Sequence, residues 1–493
     1  MPKRTKKVQP KTDGAIDQLL KRGGLVNTPK RESASSRRSK FRAAKTAVTL
    51  GLNYLLDNAG SLRGNFKKYK SVRGAEDALR KRILELDAGI KAAKARIEAN
   101  RQRANRAIAP VPGGHAGDGN CYVRFVNVGS GDCTLVTTPA GVRIMIDCGS
   151  DSLQDVLDPT VDYTVTPWTK ASAETYIQNA ITSQYFLNGS TTIDLLFLTH
   201  PDKDHHNKVK TLLEPLNVTF GYIYYGGTDN FNGTYAHGTS GYLTQVAGAA
   251  KLRKVTLREE AAKSGGSVVV TRAINGIAVR AGGGQANTLG DEWEDATGAI
   301  VAYYETTNGS NFRISLLAGN VIGVWNDDES KFLKRETKVK LGPEAKGNAT
   351  RPNRRSLIVL VECYGRSVVV CGDATAVTEK FVLKQFDGSL PRQQLLRIGH
   401  HGSETSSLAA FVARINPGVA VLSSSGRLTR KHFLPKQKIV KLYAARVPQT
   451  AGAHTLYAFK VNDQRSHKYF KNTTRELWAT GSNGTQGINI LKP

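Results

Sequence analysis

The sequence has no apolar run approaching the ~20 residues that a helix needs to cross a bilayer, so no membrane span is expected. Its basic N-terminus is followed by no hydrophobic segment, which argues against a secretory signal. Cysteine is scarce. Cys121, Cys133, Cys148, Cys363 and Cys371 form no Cys-x-x-Cys pair, and their odd number argues against a disulfide framework. That points to a reducing compartment, and a cytoplasmic location is expected. All five lie in or beside apolar, strand-like runs, so buried free thiols are expected. Acidic residues are in deficit, 41 against 70 Lys and Arg, for a formal net charge of +29.

The deficit is uneven. Residues 1–110 hold 28 basic and 9 acidic residues, a net of +19, and the remaining 42 and 32 give +10. Such asymmetry suits a polyanionic partner, nucleic acid first and an acidic membrane surface second. Residues 1–40, rich in Lys, Arg, Ser, Thr and Pro, read as a disordered basic tail. Residues 41–107 read as a basic helical region. Within it Leu79, Ile83, Leu86, Ile90, Ala93 and Ile97 step by four and three, a coiled-coil-like seam that could support self-association. Residues 108–119, with Pro110, Pro112, Gly113 and Gly114, read as a linker to a domain over 120–493.

That domain is organised around Leu195-Leu-Phe-Leu-Thr-His200-Pro-Asp202-Lys-Asp204-His205. Four apolar residues read as a buried strand, and the strand stops at a proline. His and Asp are good metal ligands, and a strand end gathers several at one place. If the segment stays extended, alternation puts His200, Asp202 and Asp204 on related sides, and His205 then starts a helix. Strands are also expected over Tyr122–Val128, Cys133–Thr138 and Arg143–Ile146. Asn275-Gly276 between apolar runs is a hairpin-turn signal.

Several stretches recur in a known order: Asn127-Val-Gly-Ser-Gly-Asp132, Ile146-Asp147-Cys-Gly149, Thr199–His205, Pro352-Asn353-Arg-Arg-Ser356, Gly372-Asp373-Ala374, and His400-His401-Gly402-Ser403. Together they resemble the metallo-β-lactamase fold, and in particular the hydrolase domain of the ComEC DNA-uptake proteins and its free-standing relatives. Arg430-Lys431-His432, with Pro435, is loosely similar to a further His of that group. Leu477–Thr480 with Gly487-Ile488 is similar to its closing hairpin. The resemblance implies an α/β, αββα sandwich. It also implies two divalent ions activating a bridging hydroxide, with His200 and Asp202 on one ion and Asp204 and His205 on the other. Asp373 would bridge them, and His401 or His400 would complete a site. Asp204 would be central to catalysis and His432 would contact a phosphate or protonate a leaving group. Asp132 and Asp147 would orient ligands, and Asn353, Ser356 and Ser403 would contact substrate. Carboxylate in place of imidazole hardens the donor set, so Zn or Mn is expected and Mg also fits. This chain departs from the group at His206-Asn207-Lys208, where a small residue and glycines are usual. A long span before Asp373 implies an insertion at about 226–300.

These readings converge on a metal-dependent phosphodiester hydrolase, a nuclease on DNA or RNA with little sequence specificity. The alternatives are a hydrolase of a small-molecule ester or lactam, and a non-catalytic nucleic-acid-binding protein on a degenerate hydrolase domain.

Overall fold

A computed structural model describes residues 110–150, 170–261, 268–306, 311–326, 331–333, 351–386, 395–424, 434–448, 453–459 and 469–493. The basic tail, the expected helices of 41–107 with their heptad seam, and His432 lie outside the described residues.

In chain order the first half contains β1 (Cys121–Phe125), β2 (Cys133–Thr137), β3 (Arg143–Cys148), α1 (Lys170–Ile181) and β4 (Thr192–Leu198). Then follow α2 (Lys203–His206), α3 (Val209–Leu213), β5 (Thr219–Tyr225), α4 (Phe231–Thr234), α5 (Thr239–Ala247), β6 (Leu252–Ala261), β7 (Val268–Ile274) and β8 (Ile277–Ala278). The second half contains β9 (Arg280–Ala281), β10 (Trp293–Glu294), β11 (Ile300–Glu305), β12 (Phe312–Ala318), the hairpin β13 (Val324–Asn326) and β14 (Lys331–Leu333), α6 (Arg351–Arg354), β15 (Ile358–Cys363) and β16 (Arg366–Val370). It continues through α7 (Ala376–Phe386), β17 (Leu395–Arg397), α8 (Ala409–Ile415), β18 (Val419–Leu422), α9 (Gln437–Ala444), the hairpin β19 (His454–Phe459) and β20 (Tyr469–Thr474), β21 (Leu477–Ala479), α10 (Thr480–Asn483) and β22 (Gln486–Ile490).

Two nine-stranded sheets result, ordered β22-β1-β2-β3-β4-β5-β6-β7-β8 and β21-β18-β17-β16-β15-β12-β11-β10-β9. In each, antiparallel pairs pass into a run of parallel strands: β3 to β6 in the first sheet, and β16, β17, β18 and β21 in the second. Burial on both faces explains the unbroken apolar runs. In β4, Leu195 and Phe197 enter the core between the sheets, while Leu196 and Leu198 enter a second core. That second core also takes Ile177 and Ile181 of α1, Leu212 and Leu213 of α3, and Leu243 of α5. β3 divides the same way, Ile144 and Ile146 from Met145 and Cys148. Each such Leu, Ile or Phe contributes roughly 1.5–3 kcal/mol by burial. On the other sheet, Phe381 of α7, Phe411 of α8 and Tyr443 of α9 are buried in one continuous cluster with the strand residues. The layers are therefore helix, sheet, sheet, helix, the αββα sandwich that the motif order implies.

All five cysteines are free and buried. Asn275 and Gly276 join β7 to β8 with φ of 52° and 81°, the left-handed pair that a tight type I′ turn needs. The stretch 226–300 builds into both sheets, with β6, β7 and β8 ending one and β9 and β10 ending the other. Within the expected linker, the Ala116 amide donates to the Gln184 carbonyl, and Gln184 Nε2 donates to the Gly114 carbonyl. One expectation is corrected. Leu477–Thr480 and Gly487-Ile488 do not form a hairpin, because β21 lies parallel to β18 in one sheet and β22 antiparallel to β1 in the other. The short α10 between them carries the chain across, so each strand fills an edge of a different sheet.

Candidate metal centre

The site forms where the parallel strands of both sheets end. β3 ends at Asp147-Cys148, β4 leads into Thr199-His200, β16 into Gly372-Asp373, β17 into Gly399-His400-His401, and β18 into Ser423. Ligands at the carboxyl ends of parallel strands follow a general rule of α/β sheets.

Asp147 reaches the site through a β-bulge. Cys133 pairs with Cys148 and Thr134 with Ile146, so Asp147 is the extra residue, and its φ is 58°. Its carboxylate accepts from the Thr199 amide at 2.7 Å, from Thr199 Oγ1 at 2.6 Å and from His205 Nδ1 at 2.7 Å. Gly149 follows because the chain crosses close to α2: a Cβ there would lie 2.3 Å from the Asp204 carbonyl carbon and oxygen.

The segment after Pro201 is not extended. It turns into α2 at Lys203, so Asp204 arrives from a helix and faces His401, while Asp202 is 39% exposed beside His200. His206 is buried and turned away from the donors. Its Nε2 lies 3.1 Å from the Pro201 carbonyl, to which it donates, and its Nδ1 lies 3.1 Å from Thr239 Oγ1. Where small residues are usual, this chain thus has a side chain tying the Pro201 turn to α5. Burial pushes the His206 pKa down to about 4, so it serves as a neutral ring.

Seven side chains converge. Asp373 Oδ1 lies 3.2 Å from His205 Nε2 and 3.3 Å from His401 Nε2, and His401 Nε2 lies 3.3 Å from Asp204 Oδ2. Asp373 Oδ2 faces the other way, 3.8 Å from His200 Nε2 and 3.5 Å from His400 Nε2, with Asp202 Oδ2 3.6 Å from His200 Nε2. One carboxylate therefore presents an oxygen to each of two donor groups.

Hydrogen bonding fixes what the rings offer. His205 Nδ1 donates to Asp147, and His401 Nδ1 to the Ser423 carbonyl at 2.7 Å. His200 Nδ1 lies 3.1 Å from Thr199 Oγ1, whose own hydrogen goes to Asp147. With Nδ1 protonated in each neutral ring, the lone pair sits on the Nε2 that points inward. Among the described residues, buried His200 Nε2 and Asp373 Oδ1 have no hydrogen-bond partner. Unpaired inward lone pairs beside carboxylates fit a cation. Ligand bonds of about 2.1 Å put tetrahedral donors about 3.4 Å apart, close to the separations found. His200, His205 and Asp373, and separately Asp204, His205 and His401, lie close enough to share an ion.

Electrostatics agree. Burial works to raise the Asp373 pKa, but His401, His400 and His205 hold it well below the ordinary carboxylate range. Burial opposes charge on His205 as well, yet Asp373 and Asp147 raise its pKa well above the usual value. The pocket attracts positive charge. His400 differs: burial takes its pKa down to about 4, and Asn353 Nδ2 donates to its Nε2 and to Asp373 Oδ2, both at 3.2 Å. Between the two histidines left open by sequence, the geometry brings His401 into the donor group and sets His400 beside Asn353. Asp132 is buried with its Oδ2 3.9 Å from His205 Nδ1. Ser403 Oγ accepts from Thr405 Oγ1, which is 2.5 Å from His400 Nδ1, so Ser403 braces His400. Ser356 is buried next to Asn353, whose carbonyl accepts its amide.

Three contributors were missing from the sequence-derived set. Thr199 and Ser423 hold the rings, and Arg397 lies fully buried between Asp132 and His401. A lone Arg inside the apolar strand Leu395-Leu396-Arg397-Ile398 is the signal that points to it.

No protein-family profile matches the chain. A stretch of 102 residues, 21% of the chain, is 33% identical to ComE operon protein 3 of Bacillus subtilis (strain 168). A stretch of 72 residues, 15% of the chain, is 36% identical to Recombination protein 2 of Haemophilus influenzae, and 80 residues, 16%, are 35% identical to Competence protein ComA of Neisseria gonorrhoeae. These matches span 12%, 9% and 11% of the relatives' own lengths. Among solved structures, the metallo-β-lactamase fold protein YhfI of Bacillus subtilis aligns with a TM-score of 0.30 at 8% identity, over 74% of this chain and 98% of that one. The short form of human tRNase Z aligns with a TM-score of 0.31 at 12% identity, over 61% and 91%. No helix among the described residues is long and apolar enough to cross a membrane. By its two-sheet topology and the order of its motifs the chain has the metallo-β-lactamase fold, and with this His/Asp donor set it resembles a metal-dependent hydrolase of the ComEC type.

Proposed function

We propose that the protein is a metal-dependent phosphodiesterase acting on nucleic acid with little sequence specificity. The observation that carries this reading is the Asp373 carboxylate, whose two oxygens face two separate donor groups. His200, Asp202 and Asp373 would hold one divalent ion, and Asp204, His205, His401 and Asp373 a second. Zn or Mn suits this mixed imidazole and carboxylate set, and Mg also fits its oxygen donors. Such a pair, when bound, supplies Lewis acidity toward a phosphoryl oxygen and an acidified water.

The chain's own residues supply the rest. Asp147, Thr199 and Ser423 fix the ring orientations. Asn353 holds His400 and Asp373, and Asn353, Ser356 and Ser403 are assigned to substrate contact. His432 is assigned the leaving-group proton or a phosphate contact. Asp132 supports His205 from behind.

The charge pattern selects the substrate class. The net of +19 over residues 1–110 provides sequence-independent phosphate affinity, and self-association would run through the seam at 79–97. Arg351, two residues before Asn353 and 66% exposed, adds a cation to this surface. The similarity to competence and recombination proteins supports the same class.

The test is cleavage of labelled single-stranded DNA, duplex DNA and RNA with Zn²⁺, Mn²⁺ or Mg²⁺, comparing the wild type with Asp204→Ala and Asp373→Ala. Metal-dependent cutting lost in both variants is expected. Tight, salt-sensitive binding with no cutting under any metal would overturn the reading.

A further inference from the structure

Arg397 is fully buried and among the largest side chains in the interior to be so. It stands at the end of β17 in the second sheet, yet its guanidinium pairs with Asp132, which belongs to the first. Nη1 donates to the carbonyl of Gly372, the residue before Asp373, and to the Ile398 carbonyl at 2.9 Å. Nη2 lies 3.4 Å from His401 Nδ1.

These contacts close a ring across the two halves. The Asp132 amide donates to the Asp204 carbonyl at 3.1 Å. One residue earlier, the Gly131 carbonyl accepts from Ser423 Oγ at 2.7 Å. The Ser423 carbonyl accepts from His401 Nδ1. His401 and Asp204 then meet at 3.3 Å, Nε2 to Oδ2. One candidate ligand comes from each half, and the Arg397–Asp132 pair is the charged link in the ring.

We propose that Arg397 is a positioning residue for the metal centre: with Asp132 it fixes the separation of His401 and Asp204 and seats Asp373 through the Gly372 carbonyl. Stability alone does not account for it. A buried ion pair recovers little more than its desolvation cost, and apolar residues of similar volume often serve as well. Its fork suits the task, because a planar guanidinium reaches a carboxylate and two carbonyls at fixed angles where an ammonium cannot. The inference rests on the donor set holding metal, not on the identity of the substrate.

The experiment measures Mn²⁺ and Zn²⁺ stoichiometry and affinity by calorimetry on the full-length protein, with thermal unfolding of the metal-free form. The variants are R397K and the double variant R397M/D132N, which removes both buried charges together and leaves neither stranded. The ion assigned to Asp204, His205 and His401 should bind about 10- to 100-fold more weakly in the double variant, as is typical when a group supporting a ligand is lost. The ion assigned to His200 and Asp202 should keep its affinity, and R397K should fall between the double variant and the wild type. A structural role alone would lower the metal-free unfolding midpoint and leave both affinities intact in protein that remains folded. Wild-type affinity for both ions in R397K and the folded double variant would overturn the proposal. If the double variant does not fold, R397K decides by the same two affinities. Should the protein bind no metal at all, the donor-set reading fails first.

Discussion

His205 and His401 stand 196 residues apart in sequence, on opposite halves of the sandwich, and their Nε2 atoms lie 3.3 Å apart. Two lone pairs facing each other repel unless a proton or a cation stands between them. A bound ion at this place would staple the halves together. Metal should therefore stabilise the fold by mass action, by about 2.7 kcal/mol when free ion exceeds its dissociation constant a hundredfold. Thermal unfolding with saturating Zn²⁺ or Mn²⁺, and again with a chelator, measures this. The shift should be large for the wild type and smaller in His401→Ala, which keeps only the ion assigned to His200 and Asp202. An equal shift in His401→Ala would place the stabilising ion elsewhere.

Gly149 tests the close approach of β3 to α2. An added methyl would sit 2.3 Å from backbone atoms of Asp204, which cannot rotate aside as a side chain can. Gly149→Ala should cost about 1–3 kcal/mol by overpacking. It should also move Asp204 away from His401 and weaken metal binding. Gly189→Ala is the control, because a Cβ there meets nothing within 4 Å, although its φ of +83° carries a strain cost of its own. Chemical denaturation with metal titration compares the two. A Gly149→Ala protein with wild-type stability and affinity would show that the backbone accommodates the methyl.

Asp147 gathers three donors on one carboxylate, the Thr199 amide, Thr199 Oγ1 and His205 Nδ1. An amide side chain keeps the shape but has one accepting oxygen and an NH₂ that opposes His205 Nδ1–H. Asp147→Asn should therefore turn or re-protonate the His205 ring and weaken metal binding by about 10- to 100-fold. The histidine ring proton resonances, followed by NMR in the metal-free protein, should show the changed tautomer. An unchanged His205 signal would remove Asp147 from this role.

The parts of the site that sequence made legible are those where a rule of local chemistry is broken in plain sight. A buried strand that ends in His-Pro-Asp-Lys-Asp-His cannot be core, and Asp373 after Val368–Val370 breaks an apolar run in the same way. Their strands could be read because burial on both faces leaves no polar alternation. What sequence hid is what depends on partners far along the chain. Ser423 and Gly131 are separated by 292 residues, and their bond is fixed by sheet order, which periodicity does not encode. The same reason misplaced the ends of the chain: β21 and β22 look like neighbours, but each is bound by the edge it completes. Asp202 and Asp204 would project on related sides only if the segment stayed extended. The four-residue helix α2 separates them, and nothing in Lys203-Asp204-His205-His206 announces so short a turn.

The last prediction concerns the cations beside Asn353. Asp229 accepts Lys254 Nζ at 2.8 Å and Arg355 Nη1 at 2.7 Å, while Arg351 stands off at 3.9 Å and is 66% exposed. Arg355 is only 5% exposed, and its carbonyl takes the Gly227 and Asn320 amides, so it is part of the framework. Arg351 is the cation of this group with donors left to offer solvent, and it lies two residues from Asn353. On a nucleic-acid substrate it would meet a phosphate beside the one being cut. Arg351→Glu should weaken polymer binding and reduce the slope of log affinity against log salt by about one. It should also lower the ratio of oligonucleotide cleavage to hydrolysis of a small aryl phosphodiester, since the small ester has no neighbouring phosphate to lose. The surface pair Arg280 and Asp291 gives the comparison: Arg280→Glu changes charge equally on an exposed strand that contributes nothing to the donor cluster. If both variants changed the salt slope alike, the effect would be one of net charge, and the path of the polymer would not run past Asn353.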